Sequence, residues 1–427
     1  MTLRHEGYIH RLVEPRIKAL MKEVGAISIE GPKYCGKTWC AESLAASEYS
    51  LVDPAGNFQK RQMAAIDPLV ALKGIEPHLI DEWQDVPAIW DAVRYTLDQS
   101  DSSGRFILCG SSTVDKGRIS HSGAGRIVSI RMRPMTLYES GDSSGEISLR
   151  SLFNGGFRNA FADPCGLESL AHLVIRGGWP DLLGKDEAVI GSVLSDYLRK
   201  LCETDARKLD GRRIDSAKLM RTIRSLSRNE SALASKAKIA SDILEYEGER
   251  IDDETTAGYL DLLGRLFMIE DQPAFSPGYR SSLRVGKKPK RHLADPSLAA
   301  AALGLGSPAL IEDLKTFGFL FEALCERDLD VYARCMGGSL YHYRDYSGNG
   351  IDAVVDVPGV GWGAFEIKLG QNAADQAAEG LLRIRDAMER NGASRLPSFL
   401  CVISGTGGMA YRREDGVYVV PIRMLGP

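Results

Sequence analysis

The sequence predicts an α/β protein of more than one domain. Three observations carry this. A glycine-rich loop lies between a short apolar run and a helix-like segment near the N-terminus, helical segments fill the middle, and two alternating runs joined by a glycine-rich turn dominate the last third. A chain of 427 residues also exceeds what one hydrophobic core usually organises. Composition bounds the function classes. Apolar residues at 44% and charged residues at 26% exclude disorder as the default. A net charge of -4 excludes a uniformly basic nucleic-acid coat, so any contact with DNA is regional. Eight cysteines without a C-x-x-C pair argue against a zinc site and a disulfide framework. No stretch reaches the roughly 18 apolar residues of a membrane span, and the chain reads as cytoplasmic, with no membrane partner.

The first element is "GAISIEG", an alternating strand-like run, followed after a loop by the helix-like "KTWCAESLAAS". Between them Gly31-x-x-x-x-Gly36-Lys37-Thr38 has Walker A spacing. In such a loop the backbone N–H groups of Gly31, Pro32's successors Lys33, Tyr34 and Cys35, then Gly36, Lys37 and Thr38 converge on phosphate. Lys37 reaches the β/γ oxygens and the Thr38 hydroxyl ligates Mg²⁺, so ATP and Mg²⁺ are the expected ligands. Cys35, in a loop of convergent N–H groups, is a candidate reactive thiol; the alternative is a thiol packed behind the loop.

"PHLIDEWQDVP" supplies a Walker B strand, in which Asp81 holds Mg²⁺ through water and Glu82 polarises the attacking water. "GRFILCGSST" reads as a further buried strand ending at Ser111 and Ser112, where a hydroxyl can sense the γ-phosphate or merely begin a turn. Arg126, among small residues in "SGAGRIV", is a candidate arginine finger in this subunit or a neighbouring copy, whereas Arg131 and Arg133 read as structural or solvated. The Gly-, Ser- and Asn-rich "GDSSGEISLRSLFNGG" marks the end of this first domain, residues 1–145.

Taken together, the Walker A loop, the "LIDE" strand, the "GSS" strand end, the Gly-Arg and the "MRPMTLYE" run resemble the AAA-family prokaryotic ATPases that carry a C-terminal domain of unknown function, DUF4143. The resemblance extends to "RGGWPD" and to "KPKRHLADPSLAAAALG". It implies an ATP hydrolase over nearly the whole chain. Tyr34-Cys35 departs from the small or β-branched residues usual in that family before the second glycine.

Residues 146–300 are expected to form a helical connector with a winged-helix-like module. "SAKLMRTIRSLSR", "SKAKIASDIL" and "DDETTAGYLDLLGRLFMIED" give helix, helix, then a longer helix and strand, with Asp252 to Thr256 capping the third helix. The family resemblance implies DNA binding here, but the acidic start of the third helix opposes phosphate, leaving a structural or protein-contact role open. "RVGKKPKRH", Arg284 to His292, is a basic loop that either tracks a phosphate backbone or is simply solvated. DNA, a protein and a second copy of the chain are all candidate partners.

In residues 301–427 a helix carries Glu322, and "NGIDAVVDV" and "WGAFEIKLG" read as the two strands of a hairpin. Glu366 and Lys368, two apart, share one face of the second strand, with Asp352 near the start of the first. This pattern resembles the Asp…Glu-x-Lys signature of restriction-endonuclease-like proteins. The resemblance implies two metal-binding carboxylates, Asp352 and Glu366, a water-activating Lys368 and an auxiliary Glu322. The alternative is a salt bridge on an inactive fold serving as an adaptor.

Overall fold

The computed structural model describes residues 3–114, 119–210, 214–278, 288–345 and 348–427. The chain divides into two compact units: residues 1–134 with 179–181 and 261–268, and residues 135–178 with 182–260 and 269–427.

In the first unit the elements are α1 (Glu14–Leu20), β1 (Ala26–Glu30), α2 (Lys37–Glu42), β2 (Ser47–Ser50), α3 (Ala55–Ile66), β3 (His78–Asp81), α4 (Ala88–Asp98), β4 (Phe106–Gly110) and β5 (Ile127–Arg131). The strands make one five-stranded parallel sheet in the order β2-β3-β4-β1-β5. β1, β3 and β4 are buried along almost their whole length, with apolar centres such as Ile27, Leu79, Ile80, Ile107 and Leu108, as strands covered on both faces must be. Trp83, Ile89, Trp90, Val93 and Leu97 pack against Ile80, Phe106 and Leu108 on one of those faces. The register fixes where polar ends emerge: Glu30 lies opposite Gly110, and Asp81 opposite Cys109. Three chain segments therefore leave the sheet at one edge, those starting at Gly31, Glu82 and Ser111. In open parallel sheets this carboxyl edge is where ligands bind.

The second unit contains β6 (Ile147–Ser148), α5 (Leu149–Asn154), β7 (Ala160–Cys165), α6 (Leu167–Arg176), α7 (Glu187–Lys200), α8 (Ala206–Asp210), α9 (Ser216–Arg228) and α10 (Lys236–Glu247). Next come α11 (Asp253–Arg265), β8 (Ile269–Gln272), β9 (Lys290–Leu293), α12 (Pro296–Leu303), α13 (Ser307–Glu312) and α14 (Leu314–Cys335). The remainder is β10 (Ser339–Arg344), β11 (Gly350–Val357), β12 (Gly361–Lys368), α15 (Ala374–Arg390), β13 (Phe399–Ser404), β14 (Gly407–Arg412), β15 (Tyr418–Pro421) and β16 (Leu425–Gly426). A seven-stranded mixed sheet runs β10-β11-β12-β13-β15-β14-β7. The expected hairpin is present as β11 and β12, with Asp356 opposite Trp362. On α15, Ala377, Leu381, Ile384 and Met388 recur at helical spacing and bury against Ala364, Val402 and Val419 of the sheet.

The units differ from the expected division at 145/146 and 300/301. The reason lies in strand pairing: β7, expected in a connector, forms the outer edge of the seven-stranded sheet beside β14, and β6 pairs with β16 in a separate two-stranded sheet, so both belong with the C-terminal strands. The middle keeps the expected order of α9, α10, α11 and a β8–β9 antiparallel pair, and Asp252 caps α11 by accepting from the Thr255 amide at 2.7 Å. Yet the end of α11 belongs to the first unit, where the Arg265 carbonyl accepts from the Thr113 amide at 2.9 Å and Arg131 lies 3.9 Å over the Phe267 ring. These five elements are therefore not one self-contained module. Of the expected basic loop, 284–287 lie outside the described residues. Lys290, Arg291 and His292 instead form β9, with Lys290 buried, Arg291 paired to Asp271 and His292 to Glu230, which removes them from any phosphate track.

Candidate functional site

The carboxyl edge of the first sheet gathers the phosphate loop. Gly31 is required because a Cβ there would stand 2.1 Å from the Met132 carbonyl oxygen, and Gly36 turns the chain into α2 at φ 94°. Tyr34 also adopts a positive φ of 75°, with its ring 6.2 Å from that of Trp179. The departure in sequence thus sits at the strained corner of the loop. Lys37 is buried, its ammonium donating to the Pro32 carbonyl at 2.8 Å within the loop it closes. Cys35 is fully buried, its thiol directed to the Met132 carbonyl at 3.8 Å, which places it behind the loop and corrects the expectation of a reactive thiol.

The remaining groups converge from neighbouring strand ends. The Thr38 hydroxyl donates to Asp81 Oδ1 at 3.2 Å. Burial, and then the charge of Glu82, push the Asp81 carboxyl up to about 7. Glu82 follows at a positive φ of 54°, and its Oε2 accepts from Ser111 Oγ at 2.8 Å and from the Gln84 amide. The expected Ser111 thus touches the expected Glu82, while Gln84, hidden in an ordinary "DEWQD" run, joins them unforeseen. A second unforeseen group is Arg11. Its buried guanidinium donates to the Cys35 carbonyl and to the Arg133 carbonyl, each at 2.7 Å.

Arg126 lies elsewhere. Because β5 runs parallel to β1 with Ile127 opposite Ala26, Arg126 sits at the amino edge of the sheet, about one strand length (~13 Å) from the loop edge. There it pairs with Asp98 at 3.0 Å. The geometry corrects the expectation of a finger acting within its own domain.

A second cluster lies in the second unit. The Lys368 ammonium stands 2.7 Å from Glu366 Oε1 and 3.5 Å from Asp352 Oδ2, and Asp352 Oδ2 also accepts from the Ile367 amide at 2.9 Å. Glu322 of α14 reaches the same cluster through Lys290, whose ammonium contacts Glu322 at 2.5 Å, Glu326 at 2.7 Å and the Asp352 carbonyl at 3.0 Å. All four expected residues are thus brought together, with Lys290 and Glu326 added from β9 and α14. Four carboxylates face two ammonium groups, so ionising all four would leave an excess of two negative charges. The strain shows in the titration: burial and then Asp352 push Glu366 up to about 7, and burial raises Glu322 well above the usual carboxylate range. Burial works against the Lys290 ammonium, but Glu326, Glu322 and Asp352 outweigh it and hold its pKa above the usual lysine range. Among the described residues no group of three or more His, Cys, Asp or Glu side chains is arranged to hold a metal by itself. A hard divalent cation needs only one or two carboxylates when water completes its shell, so Asp352 and Glu366 remain a chemically suitable pair.

Comparison with known proteins gives three family-model matches: an AAA domain over residues 24–140, a domain of unknown function, DUF8612, over 167–309, and the domain of unknown function DUF4143 over 317–425. Curated relatives are the uncharacterized proteins Mb2031c of Mycobacterium bovis and Rv2008c of Mycobacterium tuberculosis, each 24% identical over 83% of this chain and 72% of its own length. Among solved structures, the Walker-type ATPase PABY2304 of Pyrococcus abyssi is 14% identical, covering 71% of this chain and 98% of that one at a TM-score of 0.44. Among the described residues no helix is long and apolar enough to cross a membrane.

Proposed function

We propose that this chain, an AAA-type P-loop ATPase with a C-terminal DUF4143 region, uses the nucleotide state of its first unit to control what its second unit binds. The observation that carries the ATPase chemistry is the convergence at one sheet edge of Lys37 and Thr38 with Asp81, Glu82 and Ser111, linked by the Thr38–Asp81 and Ser111–Glu82 hydrogen bonds. ATP is the substrate. Lys37 and the loop amides bind its phosphates, and Glu82, oriented by Ser111 and Gln84, accepts a hydrogen bond from the attacking water. Thr38 and Asp81 offer a hydroxyl and a carboxylate, an all-oxygen donor set that fits Mg²⁺. Bound there, Mg²⁺ would neutralise charge on the phosphate oxygens. Phosphate release by Lys37→Ala and Glu82→Gln tests this: the first loses nucleotide binding, the second binds ATP and turns it over at least a hundredfold more slowly. Wild-type turnover in both refutes it.

A second reading, metal-dependent cleavage of phosphodiesters in the second unit, is favoured by the gathering of carboxylates around Asp352 and Glu366, which outnumber the ammonium groups beside them. The donor set fits a divalent cation, which would supply Lewis-acid activation of phosphate, while Lys368 would hold the attacking water. Mn²⁺ titration of the full chain, followed with Asp352→Ala and Glu366→Ala, tests it. Unchanged Mn²⁺ binding in both variants leaves the adaptor role.

A further inference from the structure

A groove of about 520 Å³ opens between the start of β11 and one face of α15, with Glu366 and Lys368 at its wall. From α15, the buried Ala377 and Ile384 line it together with the more accessible Gln376, Gly380, Arg383, Ala387 and Arg390; these last five form the stripe. Steps of four, three, four and three residues put these five on one stripe of the helix.

The arginines of that stripe are unlike their neighbours. Arg385 pairs with Asp386, Arg395 with Asp356 and Arg413 with Asp375. Arg383 and Arg390 are exposed, and each is hydrogen-bonded through Nε alone, to the carbonyls of Glu379 and Asp386. Among the described residues neither pairs with a carboxylate. The helix has acids to offer, Asp375, Glu379, Asp386 and Glu389, but none lines the groove. Two planar cations with unengaged Nη donors, held on a rigid element in a concave site, match phosphate oxygens.

The spacing selects a polymer over a lone anion. Residues seven apart on a helix are separated by about 10 Å along its axis. Successive phosphates of one strand advance by roughly 3.4 Å along a duplex. The two arginine positions are therefore about three phosphate steps apart, and the same groove is lined by Glu366 and Lys368.

We infer that the α15 stripe of Gln376, Arg383 and Arg390 binds the phosphodiester backbone of a nucleic-acid strand and leads it to the Asp352–Glu366–Lys368 cluster. This rests on the reading of the second unit as a module that handles phosphodiesters, and it names the residues that hold the strand.

Fluorescence anisotropy of the full chain in EDTA tests it, using a labelled 20-nucleotide single-stranded DNA, the matching duplex and the matching RNA. Arg383→Ala/Arg390→Ala should raise Kd at least tenfold and reduce the slope of log K against log salt by about 1.4 to 1.8, two phosphate contacts' worth. The polymer whose binding falls most names the occupant. Arg385→Ala, on the same helix but outside the groove, is the control for general charge, and thermal melting checks the fold of each variant. The inference is overturned if the wild type binds none of the three, if the double variant binds as well as wild type, or if Arg385→Ala weakens binding equally. Mn²⁺ binding separates the two claims: intact metal binding without arginine-dependent strand binding sinks the groove alone. Arginine-dependent strand binding without metal sinks the cleavage reading alone.

Discussion

Arg11 Nη1 donates to the carbonyl oxygen of Cys35 at 2.7 Å, so a residue preceding the first strand holds the phosphate loop from behind. Its Nη2 bond to the Arg133 carbonyl ties that loop to the segment leaving β5. Arg11→Ala strands two carbonyl oxygens and loosens the loop, a loss of about 1.5–3 kcal/mol. We expect nucleotide affinity, measured by titration with a fluorescent ATP analogue, to weaken at least tenfold. Arg11→Lys should recover only part of it, since one ammonium lacks the fork that spans both carbonyls. Full affinity in the alanine variant would show that the loop holds its shape unaided.

The raised pKa of Asp81 links function to stability. Its folded value of about 7 exceeds the ordinary 3.8, so between those values the native state holds a proton that the unfolded state has lost. Stability therefore falls as pH rises from about 4 to 7, and the buried charge remains a burden above 7. Asp81→Asn should stabilise the fold at pH 8 by about 4 kcal/mol, seen as a higher melting temperature, and flatten the pH dependence while abolishing hydrolysis. A variant that melts lower than wild type at pH 8 would contradict this.

Ser111 and Gln84 both hold Glu82, but by different means. Ser111→Ala removes a hydroxyl donor to Oε2, and Gln84→Ala removes an amide donor. Each should lower kcat by roughly ten- to a hundredfold with little change in KM, the pattern of a group that positions a base. A rise in KM alone would assign these residues to nucleotide binding instead.

Arg126 is held by Asp98 at the edge of the sheet away from the loop. Arg126→Ala should leave turnover unchanged at dilutions where the chain is monomeric. Only the part of turnover that grows with protein concentration can depend on it. A large loss at all concentrations would mean that the loop edge receives this arginine after all.

Lys290 is enclosed by Glu322, Glu326 and the Asp352 carbonyl. Lys290→Met leaves buried carboxylates without their counter-ion, which costs about 3–5 kcal/mol. Chemical denaturation should register this as a lower midpoint with an unchanged slope.

The legible parts of this protein are those whose residues are neighbours in sequence or follow one strand's alternation. Gly31 to Thr38 is a contiguous loop, Asp81-Glu82 closes one strand, and Glu366 and Lys368 share a face by period alone. Arg126 was misplaced because flanking glycines say nothing about which edge of a sheet a strand enters from. Arg11, Gln84 and Lys290 lay beyond reach for a related reason. Each is an ordinary polar residue locally, and only tertiary contact gives it a role. Likewise, nothing in "AFADPC" announces a strand whose partner is Gly407–Arg412.

That pairing sets a timetable for the nascent chain. β7 leaves the ribosome roughly 240 residues ahead of β14, an interval of about 10–50 s at ordinary rates of synthesis. A separate two-stranded pair, β6 with β16, waits for Leu425 and Gly426. The seven-stranded sheet cannot close before β14 and β15 are made, and β7 stays without its partner until then. For this molecule a hazardous period falls between the synthesis of β7 and that of β14. A chaperone holding residues 160–165, or a slower stretch of codons after them, would alter the yield of folded protein without touching its final stability.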